Sequence, residues 1–144
     1  MIIADKSNTQ IIQENQAGLF GFESEAELTA LYLRAIGVED SKISTISFSA
    51  ENPNQTLSAA KAFKDWSEKN KCKEINLVSS GVHSRRTWFT YNKIVGDQTK
   101  VGIISINKLK YDKDNWWKSF EGIRYVINEF FSYFINWVVL SLSV

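Results

Sequence analysis

Two hydrophobic patterns alternate along this chain. Short apolar runs of strand length recur at Ile2-Ile3-Ala4, Ile43 to Phe48, Ile75 to Ser80 and Val101 to Ile106. Between them, apolar residues return every three or four positions, the period of a helix with one buried face. The first helical stretch opens at Ser24-Glu25-Ala26-Glu27, which has capping-box spacing. Its predicted core stripe is Leu28, Leu31, Tyr32 and Ala35, and Gly37 is its predicted terminator. The second starts at Asn52-Pro53 or Thr56, runs to about Asn70, and is predicted to pack through Ala59, Ala60, Phe63 and Trp66. The third covers about His83 to Val95, and the last covers residues 116–140. Near the N-terminus, Gln10-Ile11-Ile12 is a further strand candidate beyond a polar turn at Asp5 to Asn8. Gln16 to Gly21 reads as a loop.

Strands alternating with helices predict an α/β fold. The expectation is a three-layer, Rossmann-like arrangement: a mostly parallel sheet with right-handed crossovers and helices on both faces. A chain of 144 residues fits one domain over residues 1–144, with residues 1–22 as an atypical N-terminal segment.

The last helix has two readings. Phe130 to Val144 carries no charge, but it is shorter than the ~20 residues that a membrane span needs. Ile123, Val126, Ile127, Phe130, Phe131, Phe134, Ile135, Val138 and Val139 recur at helical spacing, with Arg124, Asn128, Ser132 and Asn136 off the stripe. The expectation is a terminal helix packed on the core, with no clear transmembrane helix; a peripheral membrane contact is the alternative. The N-terminus lacks the basic region and long apolar run of a signal peptide. The expected location is therefore cytoplasmic or membrane-peripheral.

Composition removes several function classes. Seventeen basic and sixteen acidic residues leave a net charge of +1, which argues against a general nucleic-acid binder. One cysteine, Cys72, excludes an internal disulfide and a multi-cysteine metal site. One histidine excludes an all-histidine site, and no metal is expected. Phosphate-loop, dinucleotide-glycine, serine-elbow and paired-histidine motifs are all missing from the sequence.

The densest candidate chemistry lies in Ile75 to Arg86. An apolar strand ends in Ser79, Ser80 and Gly81, and the only histidine, His83, follows with Arg85 and Arg86 at a helix start. In an open α/β sheet, ligands bind outside the carboxyl ends of the strands, and a helix start favours anions. His83 and Arg86, three apart, share one side of such a helix; Arg85 is rotated away by about 100°. The expected partner is an anionic small molecule, with Ser79, Ser80, Gly81, Arg85 and Arg86 as binding residues. His83 is the candidate proton carrier. The plainer reading is a helix cap with surface ion pairs. Thr56 also follows a strand and opens a helix, so it either caps that helix or offers its hydroxyl to the ligand. Trp116 and Trp117 follow the last strand. They form a stacking lid over a base or sugar, or one buried anchor and one surface ring. Glu129, near the apolar stripe of the last helix, is a supporting residue that pairs with an arginine.

Together these residues resemble the YdcF/SanA/ElyC-like family of bacterial domains, over roughly Glu23 to Trp137. The resemblance rests on Ser24 to Glu27, Tyr32-Leu33, Gly37-Val38, Thr56 with Ala60, Ser79 to Arg86 with its His-x-x-Arg element, and Tyr111-Asp112 with Trp116-Trp117 and Glu129. It implies a Rossmann-like fold, a cleft over the strand ends, and a role near envelope or polysaccharide metabolism. Nucleotide-type ligands, including S-adenosylmethionine, are implied as cofactors, and no settled reaction is implied. The chain departs from the family's usual opening: no strand ending in a glycine pair and no membrane segment precedes Glu23, and Gln55 replaces a common asparagine or arginine.

Two functions follow. One is a domain that binds, and in an enzymatic form processes, a phosphate-bearing or nucleotide-linked envelope precursor. The other is a non-catalytic interaction module, or a membrane-peripheral one, using the aromatic C-terminal helix.

Overall fold

A computed structural model describes residues 2–7, 25–49, 54–106 and 111–142. The strand expected at Gln10-Ile11-Ile12, the loop at Gln16 to Gly21, the cap residue Ser24 and the Asn52-Pro53 start lie outside these residues. The chain forms two compact units, residues 1–70 and 71–144, and the described residues of each run in β-α-β-α order. The first holds β1 (Ile2–Ser7), α1 (Glu25–Ala35), β2 (Ser44–Ser49) and α2 (Gln55–Asn70); the second holds β3 (Glu74–Ser80), α3 (His83–Val95), β4 (Lys100–Ile106) and α4 (Phe120–Leu142). Each pair of strands is parallel, with Ile2 opposite Ser44 and Glu74 opposite Lys100. A parallel pair needs a crossover between its strands, and a helix supplies it in both units. The protein is thus α/β, and among the described residues the strands pair as two two-stranded parallel sheets.

Two local expectations change. Asp5 to Ser7 continue β1 instead of turning, because all six residues pair in register with β2. In α1 the buried residues are Ala26 and Ala30, while Leu31 and Tyr32 are exposed. Alanines let a helix backbone approach a sheet closely, and that closeness outweighs the larger area of the predicted stripe. Gly37 does end α1: it has a φ of +93°, and the Val38 N–H closes back onto the Leu33 carbonyl, a left-handed helix stop. In α2, Leu57, Ala60 and Phe63 are buried and Trp66 stacks on Phe63.

In the second unit, α3 covers one face of the β3–β4 sheet. Leu77 is buried there, the Trp88 indole N–H donates to the Val101 carbonyl, and Ser79 meets Thr87. The opposite face carries exposed Val78 and Ile104. Gly81, with a φ of +48°, turns the chain from β3 into α3, and its N–H bonds the Ile106 carbonyl. That left-handed conformation favours glycine. Burial pushes the Tyr91 phenol up to about 12.

The largest departure is in α4. Its apolar stripe was expected to pack on the core, yet Phe130, Phe131, Phe134 and Ile135 are exposed, Phe130 by 65%. The buried residues are Gly122, Asn136 and Leu140, with Val126, Glu129 and Tyr133 half-buried on the same side. Asn136, expected off the core, is only 2% exposed and donates to the Thr90 hydroxyl at 2.7 Å. The physical reason is the chemistry of α3, whose outer side offers a hydroxyl, an imidazole and a guanidinium. Polar residues of α4 pair with these groups, and its apolar residues are left outside.

Candidate functional site

The site grows from the carboxyl ends of β3 and β4. Gly81 and Val82 leave β3, and Ser105 and Ile106 end β4 beside them. These residues, with Val126 of α4, line a groove that opens in two lobes. One lobe, of about 410 Å³, adds Tyr111, Lys113 and Trp116; the other, of about 460 Å³, adds Ser84, Arg85, Glu129, Phe130 and Tyr133. Both volumes fall in the range of small-molecule sites.

Local structure fixes each wall. The Asp112 carboxylate accepts the Asp114 N–H and the Asn115 side-chain amide, both at 2.9 Å, which folds the loop before Trp116. The Asn115 hydrogen bond, then the Asp114 N–H, hold Asp112 below the usual carboxylate range. Trp116 turns into the groove, while Trp117, edge-on to it, is 53% exposed. Trp116 is a half-buried wall and Trp117 a surface ring. The Tyr111 hydroxyl is buried and has no partner among the described residues; burial and the neighbouring Tyr125 push its phenol up. Ser84 donates to the Ser105 hydroxyl at 2.9 Å and so pins α3 to β4. The Arg85 guanidinium lies 5.1 Å from the centre of the Tyr133 ring, a cation–π distance.

Behind the groove, three charged or titratable groups converge. Glu129 Oε1 accepts from Arg86 Nε at 2.6 Å and lies 2.9 Å from His83 Nδ1. Burial alone would raise the Glu129 carboxyl. The hydrogen bonds from His83 and Arg86 and their charges outweigh it, and the carboxyl falls from 4.5 to about 2. An ionised carboxylate can only accept, so His83 Nδ1 carries the hydrogen. Arg86 Nη2 sits 3.0 Å from the same Nδ1, but two donors cannot bond, so its hydrogen serves Glu129 Oε2 at 3.4 Å. In the neutral imidazole this leaves Nε2 as the acceptor atom.

The sequence-predicted residues therefore divide. His83 and Arg86 do share a side of α3, three positions apart, but they converge on Glu129 and are not among the groove-lining residues. Arg85, placed away from the ligand by helical geometry, lines the groove together with Gly81, Trp116 and Glu129. Ser79 turns toward Thr87 under α3, and half-buried Ser80 is not a lining residue. Thr56 lies in the first unit, in the first turn of α2, where the Asn54 side chain accepts the Leu57 N–H and serves as a cap. Sequence reasoning missed Ser105, Lys113, Val126, Phe130 and Tyr133 as lining residues. Two signals existed: Ser105 is the penultimate residue of a parallel strand, and Tyr133 is four positions beyond Glu129 on one helix face.

Among the described residues no group of three histidine, cysteine or acidic side chains could hold a metal ion. Phe120–Leu142 is the one helix among them that is long and apolar enough to cross a membrane, judged by length and composition.

Fold and site together define an α/β protein with a ligand-sized groove at the carboxyl ends of a parallel strand pair. No family model, curated protein or solved structure matches this chain.

Proposed function

We propose that the second unit binds a small anionic molecule with an aromatic or apolar portion, in the groove over β3 and β4. The observation that carries this reading is the lining itself. Two cationic side chains line a groove whose other walls include Trp116, Tyr133 and Val126: Arg85, and Lys113, whose ammonium also holds the Asp114 carboxylate at 2.8 Å; the Tyr111 hydroxyl is buried behind this wall with no partner among the described residues. A guanidinium and an ammonium recognise phosphate or carboxylate, and aromatic walls take the organic part. The ion pair of Arg86 with Glu129 neutralises the one carboxylate among the described lining residues.

In this reading the two β-α-β-α units are parts of a three-layer Rossmann-like domain of the YdcF/SanA/ElyC-like kind. The ligand is then phosphate-bearing or nucleotide-linked and belongs to envelope or polysaccharide metabolism. His83, held by Glu129, would act as proton carrier only for a substrate that reaches its Nε2. A second reading, a membrane-peripheral or interaction module, is favoured by one observation: the exposed apolar side of α4.

The test is a thermal-shift and calorimetric screen with adenosine nucleotides, S-adenosylmethionine and sugar phosphates. A ligand at 100 times its Kd should add ~2.7 kcal/mol of stability. Arg85→Gln and Lys113→Gln should each weaken binding about tenfold or more, as expected for lost charge-assisted bonds. Equal binding by parent and both variants would refute the reading.

A further inference from the structure

The groove does not end at its own rim. Phe130 lines the Arg85 lobe and is also one of the most exposed large apolar residues of α4. From Phe130, one side of α4 continues through Phe134 and Trp137, whose rings stack with centroids 6.2 Å apart. Ile127 lies one turn the other way. Spacings of three and four place these residues in one row, and Phe130 to Trp137 spans about 10 Å of helix. No charged residue occurs between Phe130 and Leu142. Polar recognition groups thus sit at one end of a continuous surface, and an uncharged track leads away from them.

We infer that the ligand is a single-chain amphiphile: an anionic head held by Arg85, in the lobe that Phe130 also lines, and an alkyl chain laid along Phe130, Phe134 and Trp137. This rests on the anion-binding reading above and names its ligand class. A head-only anion would fill the polar walls and leave the Phe130 track uncovered. A chain removes that apolar surface from water, which is the dominant favourable term in such contacts.

The test titrates the full-length protein with ethyl, octyl and decyl phosphate below their micelle concentrations, with decyltrimethylammonium as the charge control. A fully buried methylene tightens binding about fourfold; along a track open on one side, about twofold per methylene is expected. Over the eight methylenes that separate them, decyl phosphate should then bind about 250-fold more tightly than ethyl phosphate. Phe134→Ser combined with Trp137→Ser should remove most of the chain-length dependence while leaving ethyl phosphate affinity unchanged. Both positions are exposed, so the variant should keep the parent's circular dichroism. Equal affinity across the series would overturn the amphiphile and leave the anion site standing. Equal binding of decyl phosphate and decyltrimethylammonium would keep the track and overturn the anion site. No binding of any probe would overturn both. Cosedimentation with neutral phosphatidylcholine vesicles, lost in the double serine variant, would assign the track to a bilayer surface and overturn the single-chain ligand.

Discussion

Glu129→Gln isolates the ion cluster that joins α3 to α4. The parent carboxylate is held at about 2, against 4.5 for an ordinary glutamate. A shift of that size corresponds to about 3 kcal/mol of differential stabilisation. Solvent reaches the His83 edge of the cluster, whose side chain is 30% exposed, so screening reduces the expected contribution to about 2 kcal/mol. The sign follows from the direction of the shift. A carboxyl depressed on folding stabilises the native state fully above its unfolded value, and that stability is lost as pH falls from about 5 toward 2. The glutamine variant keeps the shape and removes the charge. It should therefore be about 2 kcal/mol less stable than the parent at pH 7, with the gap closing to near zero by about pH 2. Urea unfolding at a series of pH values, followed by tryptophan fluorescence, reads this directly. Four of the five tryptophans, Trp88, Trp116, Trp117 and Trp137, lie in the second unit and report on it. A parent–variant gap that stays constant from pH 6 to 2.5, or is absent at pH 7, would refute the assignment of Glu129 as the charged hub.

Two further predictions address the groove's supports. Gly122 sits where an added Cβ would run into the Trp116 carbonyl and the Ser119 hydroxyl, so Gly122→Ala should cost about 1–3 kcal/mol by overpacking and displace Trp116. Urea midpoints and a shifted tryptophan emission maximum would show both effects, and an unchanged spectrum would argue against this junction setting Trp116. His83 is the only histidine, so its ring gives one set of nitrogen resonances. Long-range proton–nitrogen spectra of the neutral imidazole should show the hydrogen on Nδ1. A hydrogen on Nε2 instead would mean that Glu129 does not hold the ring.

How much was legible beforehand differs by element. Strand and helix order, the start of α3 at His83 and the stop at Gly37 were all readable, because propensity, period and a left-handed glycine act within a few residues. The convergence of His83 and Arg86 was readable for the same reason: three positions on a helix fix it. What they converge on was not. Glu129 lies 43 positions beyond Arg86, and no local rule says which helix will face another. The apolar stripe of α4 shows the limit most plainly. Its 3.6-residue period correctly announced a two-sided helix, but periodicity carries no sign. Only the polar outer side of α3 decided that Glu129 and Asn136 would turn inward and the phenylalanines outward. Arg85 follows from the same reversal. Helical geometry separated it from Arg86, yet the packing of α4 on α3 put Arg85 against Tyr133 in the groove and tied Arg86 to Glu129. Local patterning set the β-α-β-α rhythm and the chemistry available at one strand end. The tertiary structure alone decided which cation meets a ligand and which meets a carboxylate, because that choice depends on contacts between residues far apart in the chain.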